Sequence, residues 1–129
     1  MSDATAPLYA IKAELFKCLA HPTRIQCLEV LSTAPEHRAT VATLLAVTGV
    51  EASPLSQHLA SLKSAGIVSS SREGNAVTYE LTEPLVAELL VVARAMLRNR
   101  LDRNASQLAA ADDLPDLTHQ ARSTGQVER

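Results

Sequence analysis

Residues able to bind nucleic acid are concentrated in two short segments of the sequence, 53–63 and 72–75. The first segment carries hydroxyl, amide, imidazole and ammonium groups at helical spacing: Ser53, Ser56, Gln57, His58, Ser61 and Lys63. Gln can form two hydrogen bonds with adenine, and Ser suits either bases or phosphates. The second segment carries Arg72 and Asn75, and an arginine is a good partner for a phosphate group. We therefore expect both segments to contact double-stranded DNA.

Within the first segment, two side chains have distinct expected roles. Lys63 lies near the end of the segment and is better placed for phosphate than for a base. His58 either contacts DNA or holds the packing of the segment, and the sequence does not separate these roles. An ordinary solvated helix face is the alternative for the segment as a whole. The arginine-bearing segment that follows favours DNA binding.

The periodicity of apolar residues, punctuated by proline and glycine, predicts the elements that position these side chains. Helices are predicted over 8–19, 22–32, 40–48, 54–65 and 84–110, and strands over 67–71 and 76–81. Residues 34–38 are predicted to be a loop. Gly49 and Gly66 are predicted to end helices in the left-handed conformation, and Gly74-Asn75 to form a tight hairpin turn.

The third and fourth predicted helices are separated by only five residues, 49–53, which is typical of a helix-turn-helix. Leu55, Leu59 and Leu62 form the apolar face of the fourth helix, opposite the polar side chains. A hairpin directly after this helix makes the unit winged. The predicted fold is therefore mainly α (α+β), a winged helix-turn-helix in the order α-α-α-α-β-β-α.

Composition limits the organisation of the chain and the classes of function. With 129 residues we expect one domain over 8–110, an extension over 1–7 and a disordered polar tail over 111–129. Only 2% of residues are aromatic while 47% are hydrophobic, which predicts an aliphatic core. Because the net charge is −2, DNA contact requires a local basic patch. We find no secretory signal and no stretch able to span a bilayer, and expect a cytoplasmic protein without membrane contact.

The last predicted helix indicates a homodimer. Eleven of the thirteen residues from Leu85 to Leu97 are apolar, more than a single stripe facing one core requires. A second copy of the chain is the simplest way to bury the remaining apolar side chains, with the first predicted helix contributing to the same interface. The predicted dimer interface comprises Leu8, Phe16, Leu85, Leu89, Val92 and Met96. The arginines at 94, 98, 100 and 103 then form a solvated flank or, alternatively, a second DNA contact.

Three motifs occur together in the sequence: LAHPTR at 19–24, LSQHLASLKSAGIV at 55–68 and REGNAVTYEL at 72–81. In this order and spacing they resemble the ArsR/SmtB family of bacterial repressors, over roughly residues 8–105. The resemblance implies a homodimeric winged helix that binds a palindromic operator and releases it on sensing a ligand. The resemblance places Arg72 on the wing. It places five residues on the DNA-contacting helix: Ser53, Ser56, Gln57, His58 and Ser61.

Metal ligands of the kind common in that family are missing from the sequence. Thr40-Val41-Ala42-Thr43 stands where a Cys-x-Cys-Asp motif would lie, and 84–110 contains no histidine. We therefore expect no metal and no cofactor. His21 is predicted to cap the second helix, and His37 and His119 to be solvated.

Cys18 and Cys27 are the only thiols in the sequence. Both are predicted to be core thiols, because free cysteine is among the most buried residue types. The alternative is a redox or electrophile switch, or a pair of thiolate ligands for a soft ion.

These observations favour a transcriptional repressor over an enzyme. The sequence holds no phosphate-binding glycine loop and no nucleophile elbow. A winged-helix module that binds another protein without DNA is the alternative. The inducer, whether a small molecule or a redox signal, is not specified by the sequence.

Overall fold

A computed structural model describes residues 3–115, which contain five α-helices, a short 3-10 helix (Pro35–His37) and a three-stranded sheet. The elements are α1 (Ala6–Leu19), α2 (Pro22–Thr33), β1 (Arg38–Thr40), α3 (Val41–Thr48), α4 (Ala52–Ser64), β2 (Val68–Glu73), β3 (Ala76–Leu81) and α5 (Leu85–Ala111). The predicted winged helix-turn-helix is confirmed. Contacts divide the chain into two compact units, Met1–Val91 and Val92–Arg129. Most of the predicted tail lies outside the described residues.

Local signals set most of the helix ends. The His21 side chain accepts a hydrogen bond from the Thr23 backbone N–H at 3.1 Å, as expected of a helix cap, and Pro22 follows in the first turn. Gly49 ends α3 with a φ of 69°, the left-handed conformation predicted for it. The prediction for α4 was wrong by two residues. This helix begins at Ala52, after an extended Glu51, so Pro54 lies inside its first turn.

The sheet contains one strand more than predicted. Arg38–Thr40 pairs antiparallel with β3, so the strand order is β1-β3-β2, and the prediction of a loop through Arg38 was wrong. Three residues are too short for an alternating pattern, and they become a strand only through pairing with β3. The β2–β3 hairpin turns at Gly74-Asn75 as predicted, with Glu73 opposite Ala76 and a Gly74 φ of 63°.

The Met1–Val91 unit has an aliphatic core, as predicted, in two clusters. One cluster joins α1, α2, the C-terminal half of α4, the hairpin and the start of α5: Leu19, Leu28, Leu31, Leu62, Ile67, Val68, Leu81 and Val86. The other cluster joins α2, α3 and α4 around Cys27, Leu44, Leu55 and Leu59. Because both clusters include buried leucines of α4, the core holds this helix along its length.

The remaining unit, from Val92 onward, continues α5 to Ala111 and ends its described part in a turn. Its large apolar side chains are exposed, including Val92, Met96, Leu97, Leu101 and Leu108. Among residues 3–115, no helix is both long and apolar enough to cross a membrane.

Candidate nucleic-acid interface

Helix α4 presents a polar face opposite its buried leucines. Ser53, Ser56, Gln57 and Lys63 are exposed, as is Ala60 between them. Spacings of three and four residues put these positions on one side of an α-helix. The short side chains along this side leave room for close approach by a partner, and the hydroxyls and the amide supply donors and acceptors.

Two of the residues predicted to contact DNA lie on a flank of α4 instead. His58 is half-buried, and its Nδ1 accepts a hydrogen bond from Nε of Arg24 at 3.0 Å. Ser61 is half-buried too, and its carbonyl oxygen accepts a long contact of 3.8 Å from the thiol of Cys18. Their DNA contacts stay predictions, whereas their contacts with α1 and α2 are seen directly.

Lys63 connects α4 to the wing. Its Nζ donates a hydrogen bond to the Ser70 hydroxyl of β2 at 2.8 Å, and this hydrogen bond is exposed to solvent. An ammonium group has three donors, so two are left for other acceptors. Lys63 therefore sets a positive charge between the helix and the first wing strand.

The three-stranded sheet carries two arginines in different electrostatic surroundings. Arg38 on β1 lies within ion-pair distance of three carboxylates, Glu36 at 4.0 Å, Glu73 at 3.4 Å and Glu80 at 3.6 Å. Arg72, exposed near the tip of the hairpin, makes no side-chain hydrogen bond or ion pair with another residue in 3–115. Arg72 is thus the wing arginine available to an external anion.

The two thiols occupy different environments. Cys27 is fully buried between α2, α3 and α4, and burial raises the pKa of its thiol. The burial of Cys27 confirms the predicted core thiol at this position. Cys18 is half-buried beside Arg24, which donates from Nη1 to its backbone oxygen at 2.9 Å.

The residues present do not fit the metal sites of the resembled family. Thr40 caps α3 by accepting a hydrogen bond from the Thr43 backbone N–H, and neither side chain is a ligand for a soft metal. Over residues 3–115, no group of three or more His, Cys, Asp or Glu side chains is arranged to hold a metal ion.

The helix-turn-helix lies within a segment that is similar to known bacterial regulators. The family model described as "Bacterial regulatory protein, arsR family" matches residues 21–70. The uncharacterised HTH-type transcriptional regulator Rv0081 of Mycobacterium tuberculosis is 44% identical over 108 residues, 84% of this chain and 90% of that protein. The chain belongs to the ArsR family. It is a DNA-binding transcriptional repressor with a winged helix-turn-helix.

Solved structures agree with the ArsR-family assignment. The crystal structure of M. tuberculosis Rv0081 has a TM-score of 0.65 and 46% identity, covering 77% of this chain and 98% of that one. A homodimeric winged helix-turn-helix domain from Mycobacterium bovis has a TM-score of 0.67 and 29% identity, covering 80% and 93%. A probable mercury resistance operon repressor of Streptomyces lividans is 30% identical, over 80% of this chain and 77% of that protein.

Sequence reasoning missed two side-chain links of this ArsR-family protein. The guanidinium of Arg24 donates hydrogen bonds to Nδ1 of His58 and to the backbone oxygen of Cys18. The link from Lys63 to Ser70 was also missed. Both join residues distant in sequence, and the only signal for the first was an arginine and a histidine inside two of the matching motifs.

One expected result concerns metals directly. Purified protein should retain no stoichiometric Zn(II), Ni(II) or Cd(II) after dialysis, because position 40 and the last helix lack thiolate and imidazole ligands. Elemental analysis of the dialysed protein checks this, with Cys18→Ser/Cys27→Ser as the control. Stoichiometric metal that this double variant loses would contradict the prediction and make the thiols ligands.

Proposed function

We propose that the protein acts as a homodimer on a palindromic operator, with α4 in the major groove and the hairpin over the adjacent backbone. Ser53, Ser56 and Gln57 contact base edges, while Lys63 and Arg72 contact phosphates. The observation that carries this proposal is the exposed polar face of α4. It is bordered by the Lys63–Ser70 link and by Arg72 of the wing, which has no side-chain partner among residues 3–115. Helix-turn-helix proteins use their second helix in this way.

Further contacts follow from the position of the remaining predicted residues. Asn75 lies in the exposed hairpin turn and accompanies Arg72 at the backbone. His58 and Ser61 act on DNA through the placement of α4, because Nδ1 of His58 is bonded to Arg24 of α2 and the backbone oxygen of Ser61 is contacted by the Cys18 thiol of α1. Phosphate contacts fix the register of the protein, and base contacts supply the selectivity.

Exposed apolar side chains support the homodimer. In the Met1–Val91 unit, Leu8, Phe16 and Leu85 are each more than half exposed, and Leu89 is half-buried. In the Val92–Arg129 unit, Val92 is 56% and Met96 65% exposed. Large apolar side chains in contiguous exposed patches mark interaction surfaces. The M. bovis domain similar to this chain is homodimeric. Two-fold symmetry then places two half-sites one DNA turn, or a small multiple, apart.

The regulator works in the cytoplasm, carries out no catalysis, and releases its operator in response to an inducer. The family relationship to transcriptional regulators supports this assignment. Cys18, half-buried and next to Arg24, is the thiol accessible to a redox signal, whereas Cys27 is enclosed in the core.

A salt series tests the phosphate contacts. With about four contacts per dimer, from Lys63 and Arg72 of each protomer, log affinity should fall against log salt with a slope of about −4. Arg72→Ala removes a contact twice per dimer, so it should flatten the slope by about two and weaken specific and scrambled duplexes alike. The measurement is fluorescence anisotropy at several salt concentrations.

The control for Arg72→Ala is the same substitution on the last helix, Arg100→Ala. It should leave the slope unchanged, because the arginines of α5 are assigned to the solvated flank. A slope that Arg100→Ala flattens while Arg72→Ala does not would move the backbone contact from the wing to α5.

A further inference from the structure

Arg24 joins three helices at one point. It lies in the first turn of α2 and is half-buried. Its Nε donates to Nδ1 of His58 on α4 at 3.0 Å, and its Nη1 donates to the backbone oxygen of Cys18 on α1 at 2.9 Å. A guanidinium is planar with donors in a fixed fork, so two bonds to two helices constrain both helices together.

The hydrogen bond from Arg24 specifies the protonation state of His58. A guanidinium only donates, so Nδ1 of His58 must hold a lone pair and the ring must carry its proton on Nε2. Two charged or titratable groups at the start of α2 face His58: Arg24, and the ring of the capping residue His21, whose centroid is 4.1 Å from that of the His58 ring. From α1, the thiol of Cys18 lies behind Arg24 at 4.0 Å. Strand β2 contacts α4 through Lys63 and Ser70.

We propose that Arg24 is a positioning residue for operator selection, which sets the orientation of α4 by holding the neutral imidazole of His58. The proposal rests on the function assigned above, because it concerns the helix that contacts bases. In the proposed arrangement the guanidinium of Arg24 is held by His58 and by the Cys18 backbone oxygen rather than by DNA. It acts through His58, which lies on the helix between Gln57 and the buried Leu59.

Acid weakens this link for a defined reason. Burial first, and then the charges of His21 and Arg24, lower the pKa of His58 from its ordinary value of 6.5. The folded protein with its Arg24–His58 bond therefore disfavours the proton, and the bond is intact at neutral pH. As pH falls below about 6.5 and through the lowered pKa, protonation removes the acceptor and puts a second cation beside Arg24.

Operator selectivity distinguishes positioning from a plain change of charge. A proton on His58 adds positive charge, which strengthens binding to any duplex alike. Loss of the orientation of α4 weakens only the specific duplex. The ratio of specific to scrambled affinity should therefore fall by roughly tenfold on acidification, the order of one lost hydrogen bond.

The experiment uses the duplex that the wild-type protein selects from a randomised pool, and a scrambled duplex of the same composition. Affinities are measured at about pH 7.5, above the ordinary imidazole pKa, and at an acidic pH below the His58 pKa that NMR titration of the free protein gives. The wild-type ratio of specific to scrambled affinity should decrease from the neutral to the acidic pH. Arg24→Gln should show the low ratio at both pH values. In His58→Asn the amide oxygen accepts from Arg24 without titrating, so its own ratio should not change with pH. His37→Asn, which changes an exposed loop histidine, should behave as the wild type.

Histidine NMR on the free protein gives a readout that needs no DNA. Neutral His58 should carry its proton on Nε2 and have a pKa below 6.5, and Arg24→Gln should raise that pKa and remove the tautomer preference. A wild type that selects no duplex overturns the assigned function and this proposal with it. Wild-type selection unchanged by acid or by Arg24→Gln, or an Nδ1-protonated His58, overturns the positioning role alone.

Discussion

Val92→Glu/Met96→Glu should convert the protein from dimers to monomers and abolish operator binding. Both side chains are exposed on α5, at 56% and 65%, and four residues apart on the same face. In the proposed dimer they are buried against the second copy, and two carboxylates there have no partner for their charge. A monomer holds one half-site only and loses the gain from binding two linked sites. Light scattering gives the mass, and anisotropy gives the affinity.

The control is Arg98→Glu, which lowers the net charge by the same two units on the opposite side of the same helix. It should remain dimeric. A wild type that is monomeric at micromolar concentration, or a Val92→Glu/Met96→Glu protein that stays dimeric, would remove α5 from the interface. Circular dichroism of each variant checks that the helices are retained.

Gln57→Ala should cost about 1–3 kcal/mol at each half-site, and therefore reduce operator affinity by at least an order of magnitude in the dimer. The amide of Gln57 is exposed on the polar face of α4, where it can form two hydrogen bonds with an adenine. The loss should appear at one base position per half-site, with little change in the salt slope. Affinities for single-base variants of the selected duplex measure it.

Gln26→Ala is the matched control for Gln57→Ala. The amide of Gln26 donates to the carbonyl oxygen of Val47 at 3.3 Å, between α2 and α3. It should leave base preference unchanged. If Gln57→Ala instead weakens specific and scrambled duplexes equally, α4 is not the source of base preference and the wing must supply it.

Affinity and selectivity are thus assigned to different parts of one surface. In the proposed complex Arg72 and Lys63 supply charge, which acts on any sequence, while Ser56 and Gln57 supply directional hydrogen bonds, which act on particular bases. The net charge of the chain is −2, so its overall electrostatic field does not attract DNA. Binding therefore depends on basic side chains concentrated at the interface.

Local sequence determined the elements of the fold and the polar face of α4. Leu55, Leu59 and Leu62 are buried as their spacing predicted, and Gly74-Asn75 turns the hairpin. His21 caps α2. Each of these features depends on helical periodicity, turn conformation or a cap within a few residues, so the sequence carries its signal directly. The family was also indicated by local sequence, through the three motifs that resemble those of the ArsR/SmtB family.

Contacts between distant segments were decided only by the tertiary structure. Arg38–Thr40 is a strand because β3 lies beside it, and no pattern within three residues can show that. His58 stands among the polar residues of α4 in the sequence, yet its imidazole is turned toward Arg24, thirty-four residues earlier. Whether a polar side chain faces solvent or a neighbouring helix depends on where that helix packs. That position is set by the burial of leucines throughout the core, which no local stretch of the chain contains.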